Sequence, residues 1–140
     1  MNISSLIYLS QAEVPFEVGE LEELEELAQR ENTLYGITGF LNYSDEHFFQ
    51  YIEGSREALY QLMHNIKNDQ RHLILKQIDM PAENERLFPD WGMRVFQDGR
   101  YFSISIEANI QRLIENFSSD RFKEEHLITL LRRELAELQD

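Results

Sequence analysis

The stretch GITGFLNYSDEHFFQYIEG, residues 36–54, decides the fold. Two β-prone runs, 36–44 and 47–54, flank the short polar turn SDE, which is the pattern of a hairpin. Alternation along the second run puts Phe48, Gln50 and Ile52 on one face and Phe49, Tyr51 and Glu53 on the other. A primary amide in so apolar a strand needs an explanation, because burying one without partners costs roughly 1–3 kcal/mol. Gln50 therefore requires a donor and an acceptor nearby. Tyr8, inward-facing on another short strand, is one candidate partner, and the polar edge of a heteroaromatic ligand is another. The plain alternatives are an exposed Gln on an edge strand, or a core Gln satisfied by backbone.

Outward from the hairpin, the pattern alternates strand and helix. SSLIYLS (4–10) is short and β-prone, with Leu6 and Tyr8 on one face. Residues 20–32, ELEELEELAQREN, carry Leu21, Leu24, Leu27 and Ala28 at helical spacing, with glutamates in the early turns where the helix dipole favours them. Leu24, Ala28 and Asn32 lie on one stripe. After the hairpin, Ser55 is placed to cap a second helix running to about Asn68, with Leu59, Leu62, Met63 and Ile66 as its apolar stripe. The turn NDQRH leads to strand LILKQIDMP, then an acidic loop AENERLFPD, then strand WGMRVFQ (91–97). Two further helical stripes follow, over about 106–117 and 121–138. The expected fold is α+β: a ferredoxin-like β-α-β-β-α-β-β sheet with two helices on one face, followed by two C-terminal helices. The expected division is a domain over 1–98 and a helical extension over 99–140 serving as cap, dimerisation element or output.

Composition narrows the function. The 140 residues are 42% hydrophobic and 28% charged, which suits one globular domain. No run of about 18 apolar residues exists, and the N-terminus lacks the basic flank and apolar core of a signal peptide, so neither a membrane span nor secretion is expected. The absence of cysteine excludes disulfides, thiolate metal sites and thiol catalysis, and accords with a cytoplasmic protein. Thirteen basic against 26 acidic residues leave a formal charge of −13, which argues against nucleic acid and anionic lipid as partners. An anionic ligand would need a local cation. His47, His64, His72 and His126 form no metal-ligand spacing, no serine sits in a hydrolase elbow, and GITG and IEGS are too short for a nucleotide-binding fingerprint. Singly, Tyr8, Trp91 and Met93 read as core, Asn32 as a helix C-terminal residue in a left-handed or capping geometry, and Arg71-His72 as a solvated turn.

Together these segments carry more. SLIYLS, then REN followed by GITGFLNYSDEHFFQYIEG, then NDQRH and FPDWGM, resemble the BLUF family of blue-light sensors using FAD, over about residues 3–98. The resemblance implies that the flavin ring lies between the two helices, against the sheet. By position, Tyr8 matches the tyrosine that gives an electron and proton to the excited flavin. Gln50 matches the glutamine bridging that tyrosine and the flavin N5/O4 edge. Asn32 matches the asparagine that bonds the ring carbonyl and imide. Trp91 and Met93 match a pair that shifts in the light response, and Arg71 and His72 match residues near the ribityl and phosphate portion. Leu24, Ala28, Phe48 and Ile66 would line the ring. The implied photocycle ends with Gln50 rotated or tautomerised, its new hydrogen bond to flavin O4 shifting the absorption to the red. FAD would then be a chromophore rather than a consumed reagent, and the chain a sensory flavoprotein rather than an enzyme.

Two positions depart from the family pattern. Glu31 stands where many relatives carry Arg, Asn or His, and Gly92 where Ser or Ala is commoner; the first bears on flavin affinity or dark recovery, the second on how firmly Trp91 and Met93 are held. The region after Gly99 matches no motif and is too short for a cyclase or phosphodiesterase domain. The chain is therefore expected to be a short stand-alone photoreceptor acting on a separate signalling protein, as a homodimer or higher oligomer that covers the remaining apolar surface. The rival readings are a flavin-dependent oxidoreductase, a ferredoxin-like interaction module without flavin and, more distantly, an acylphosphatase-like enzyme.

Overall fold

The hairpin forms where its pattern puts it. β2 (Thr38–Ser44) and β3 (His47–Gly54) pair antiparallel from Thr38↔Glu53 to Ser44↔His47. The computed structural model describes residues 2–14, 16–44, 46–90 and 92–97, together with Arg133. Around the hairpin stand β1 (Ile3–Ala12), α1 (Val18–Leu34), α2 (Arg56–Lys67), β4 (His72–Glu83) and β5 (Gly92–Gln97). The chain divides into two compact units, Met1–Asp98 and Gly99–Asp140. The helices expected over 106–117 and 121–138 lie outside the described residues, Arg133 apart.

The strands make one sheet in the order β4-β1-β3-β2-β5. β1 is antiparallel to both β3 and β4, whereas β5 joins β2 in parallel. The first six elements thus follow the ferredoxin-like plan, and β5 extends the sheet at the β2 edge. Gly39 makes the hairpin possible. Its φ of +143° lies outside the usual range of a side-chain-bearing residue, and a Cβ there would fall 2.0 Å from the Tyr51 carbonyl oxygen.

Both helices begin on identifiable caps. The Glu17 N–H donates to Glu20 Oε1 at 3.3 Å at the start of α1, and Ser55 Oγ accepts from the Ala58 N–H at 3.2 Å at the start of α2. At the C-terminus of α1 the Asn32 carbonyl accepts from the N–H groups of Tyr35 and Ile37, and the left-handed residue is Gly36, at φ +68°. The expectation that Asn32 itself takes the left-handed or capping position is therefore corrected. Asn32 stays helical, which keeps its side chain on the inward stripe.

The core lies between one sheet face and the two helices. Leu6, Tyr8, Leu41, Phe48 and Ile52 pack against Leu21 of α1 and Leu59 and Met63 of α2. Leu27 departs from the expected stripe at 44% exposure, having turned toward solvent beside the core-facing Leu24 and Ala28. On the other sheet face Phe40 stacks with Phe49 and Tyr51 and meets Phe88 edge-on at 5.4 Å between centroids.

Candidate functional site

The β1–β3 register sets Tyr8 directly opposite Gln50 on the helix-facing side of the sheet. Both are buried, and the Tyr8 hydroxyl donates to Gln50 Oε1. Burial pushes the Tyr8 phenol far above its ordinary range, and the nearby Asp69 charge adds to this. The hydroxyl therefore stays protonated and keeps its donor role at neutral pH. Leu41 pairs with Gln50 from the β2 side and makes the third, apolar part of the same floor.

Above this floor is a cavity of about 190 Å³. Leu24, Ala28 and Asn32 form the wall from α1, and Leu62, Asn65 and Ile66 the wall from α2. Sites that engulf a drug-sized ligand measure roughly 300–1,000 Å³. This one suits a planar ring, with the rest of the ligand leaving through the mouth. The Asn32 amide limits what kind of ring would fit. Asn32 is only 4% exposed, and among the described residues its side chain makes no hydrogen bond. A buried amide left that way costs roughly 1–3 kcal/mol, which a ring edge bearing both a carbonyl and an N–H would offset. The residues present therefore fit a flavin ring.

The mouth carries the charge. His72 Nε2 lies 3.1 Å from the Ile66 carbonyl, an acceptor only, so that nitrogen holds the hydrogen. Nδ1 is then free to accept from the Ser10 hydroxyl, 2.7 Å away. Burial lowers the His72 pKa below the usual imidazole value, against the Ile66 hydrogen bond and the Asp69 charge, which raise it. The Arg71 guanidinium forks onto Asp69, at 3.0 Å from Nε to Oδ1 and 2.7 Å from Nη2 to Oδ2. The Arg71 hydrogen bond holds the Asp69 carboxyl below the usual carboxylate range, and the Asp69 bond raises the Arg71 guanidinium. Arg71 also sits 5.7 Å from the centroid of Phe16, across the mouth.

The structure gathers Tyr8, Gln50, Phe48, Asn32, Leu24, Ala28, Ile66, Arg71 and His72 around one cavity. Trp91 and the Met93 side chain lie outside the described residues; only the Met93 backbone is placed, in β5. Sequence reasoning missed Asp69, Phe16, Asn65 and the role of Leu41. Asp69 had a usable signal, standing two residues before Arg71 in a tight turn. Phe16 had none, because it precedes α1 in a segment without periodicity.

The chain matches the profile of the family described as "BLUF: Sensors of blue-light using FAD" over residues 3–94. It therefore belongs to the BLUF family. Among curated proteins it is 33% identical over 90 residues to the photoactivated adenylate cyclase subunit beta of Euglena longa, a match covering 64% of this chain and 10% of that protein. It is 31% identical over 94 residues to the blue light- and temperature-regulated antirepressor BluF of Escherichia coli, covering 67% of this chain and 23% of the other. The chain thus spans about a tenth and about a quarter of these two relatives. The dark-state structure of the BLUF protein BlrB superimposes with a TM-score of 0.69 at 28% identity, over 97% of this chain and 96% of BlrB.

Proposed function

We propose that the cavity holds the ring of FAD and that Tyr8 and Gln50 are the light-switched pair of a blue-light photoreceptor. One observation carries this reading: the Tyr8–Gln50 hydrogen bond forms the floor of a cavity whose wall bears the buried amide of Asn32, without a side-chain hydrogen bond among the described residues. Bound flavin supplies the blue-light absorption and, once excited, an oxidant for a neighbouring side chain. The chain's own residues do the rest. With flavin bound, Tyr8 would give an electron to the excited ring and pass its hydroxyl proton toward Gln50 Oε1, the atom it already bonds, and both would return to Tyr8 as the cycle closes. Gln50, whose backbone pairs with Leu41 on the β2 side, would rearrange its amide and change what it donates to the ring edge. Asn32 would hold the ring edge by hydrogen bonds, and Leu24, Ala28 and Ile66 would keep water from it. Arg71 and His72, at the mouth, would meet a ribityl-phosphate tail. Trp91 and Met93 respond to the rearranged amide, and β5 with residues 99–140 passes the change to a separate signalling protein, the chain acting as a homo-oligomer. No step needs a second substrate, so the reading is a sensor and not an enzyme.

The test is an absorption spectrum of the purified protein before and after blue light, with the released flavin identified by chromatography as FAD, FMN or riboflavin. A small, dark-reversible red shift is expected, with FAD as the bound form. Protein that stays colourless after FAD reconstitution overturns the flavin assignment. Turnover of a reduced nicotinamide with an unshifted spectrum would favour a flavin oxidoreductase instead.

Among the described residues no helix is long and apolar enough to cross a membrane.

A further inference from the structure

Three residues beyond Gln50 on β3, and on the opposite sheet face, stands Glu53. It is 1% exposed, the most deeply buried charged side chain among the described residues. Each of its carboxylate oxygens accepts one hydroxyl and one backbone N–H. Oε1 accepts from the Tyr51 hydroxyl at 2.9 Å and the Leu87 N–H at 2.7 Å; Oε2 accepts from the Thr38 hydroxyl at 2.7 Å and the Phe88 N–H at 2.9 Å. Arg86 closes the arrangement, donating from Nη1 to Thr38 Oγ1 at 2.9 Å and to the Glu53 carbonyl at 3.3 Å. Thr38 is the register partner of Glu53 on β2.

We infer that Glu53 is a positioning residue of the light response, the clasp through which a change at Gln50 reaches the segment leading into β5. This rests on the photoreceptor reading above. Three observations support it. Residues 84–90 form the connection from β4 to β5 and have no strand ladder of their own, so beyond the packing of Phe88 on Phe40 and Tyr51 their place against the sheet depends on side-chain bonds. Two consecutive N–H groups of that connection are held by one carboxylate carried on the same strand as Gln50, about 10 Å away along it at ~3.4 Å per residue. The other ends of the network, Thr38 and Tyr51, belong to the β2–β3 hairpin, whose outer strand pairs with β5. A shift of β3 produced at Gln50 therefore carries Leu87 and Phe88 with it. A loop tied only by apolar packing could slide instead.

The carboxylate is specifically required. It only accepts, and all four of its neighbours donate. In Glu53→Gln the hydroxyls of Tyr51 and Thr38 can turn to accept from the new amide, but backbone N–H groups cannot. Whichever way the amide is turned, its NH₂ faces one of the two N–H groups and orphans it.

The experiment is hydrogen exchange by mass spectrometry on the full flavin-bound chain, dark and under steady blue light, read over 84–97, with the flavin spectrum recorded on the same samples. Wild type is expected to show a light-dependent change in exchange there. Glu53→Gln is expected to keep the flavin and its red shift, exchange the Leu87 or Phe88 amide about five-fold or more faster in the dark, and lose the light–dark difference. A merely structural Glu53 would raise dark exchange and leave that difference in place. Should Glu53→Gln fail to fold, Thr38→Val and Arg86→Ala each remove one link while sparing the carboxylate's two backbone donors, and each is expected to shrink the difference. The inference is overturned if wild type shows the red shift without any light-dependent exchange over 84–97, or if the variants retain the wild-type difference. A wild type without a red shift defeats the photoreceptor reading itself, and the inference with it.

Discussion

Removing Tyr8 and Gln50 singly and together measures the bond on which the photoreceptor reading turns. Both side chains are at most 5% exposed, so neither finds water when its partner is deleted. Tyr8→Phe leaves Gln50 Oε1 without this donor, and Gln50→Leu leaves the Tyr8 hydroxyl without this acceptor. Each is a buried polar group stripped of a partner, at roughly 1–3 kcal/mol. Replacing both by apolar groups of similar shape removes the donor and the acceptor together, which is nearly neutral. The double variant should thus be less destabilised than the two singles summed, by about 1–2 kcal/mol, within the range seen for contacting pairs. Gln50 has further contacts, and the cycle cancels them, since they are lost equally with and without the Tyr8 hydroxyl. The assay is urea unfolding of the flavin-free proteins, followed by far-UV circular dichroism and fitted to two states if the probes coincide. Additivity within about 0.3–0.5 kcal/mol would show that the two groups do not depend on one another, and the hydrogen bond could not then be the element that light rearranges. With flavin bound, all three variants should retain the ring and lose the red shift; a normal shift in either single variant would falsify the assignment of the pair.

The same geometry fixes three further outcomes. The folded-state pKa of His72 is depressed, so its contribution to stability is fully present above its unfolded value near 6.5 and falls as pH drops below that, through the folded value. Asp69 and Arg71, the charged groups facing it, pull in opposite directions. Thermal unfolding between pH 5 and 8 should show His72→Gln losing less stability on acidification than wild type, and parallel profiles would refute the assignment. Asp69→Asn frees the Arg71 fork. A half-exposed pair is worth roughly 0.2–1 kcal/mol, so binding of FMN relative to riboflavin should tighten by about 1.5- to 5-fold at low salt; an unchanged ratio in titrations would mean that phosphate does not meet Arg71. Gly39→Ala should cost more than the ~1–3 kcal/mol of backbone strain alone, since its Cβ would collide with the Tyr51 carbonyl; a urea midpoint near wild type would contradict the placement of the hairpin.

What could be read from the chain follows from which interactions are local. The hairpin, the two amphipathic helices and the Ser55 cap depend on residues a few positions apart, and all of them form as the periodicity indicates. Boundaries moved where ladder pairing overrides composition: β1 and β4 run longer because they pair with one another from Ile3↔Glu83 to Ala12↔His72. Gln50 was legible as a question, because an amide inside an apolar run is anomalous on its own strand. Asn32 was legible only through its place on the Leu24–Ala28 stripe and the family resemblance, since a polar residue in a last helical turn is ordinary by itself; Gly36 takes the left-handed position and Asn32 is buried.

Glu53 shows the limit most sharply. A glutamate at the end of a strand, beside Gly54, has the pattern of a solvated edge. Nothing within ten residues reveals that two amides more than thirty positions later return to bond it, at |i−j| of 34 and 35. Alternation still assigned its face correctly, opposite Gln50. The two anomalous polar groups of β3 therefore serve different sides of the sheet. Gln50 faces the cavity, bonded to Tyr8, and in the proposed light response its amide is the group that changes arrangement. Glu53 faces the aromatic layer of Phe40, Tyr51 and Phe88, where four donors hold a group that cannot turn without orphaning one of them. A strand that is adaptable at one position and rigidly tied three residues on moves its attached segment as a unit, and this is the property a light-driven change needs in order to leave the cavity.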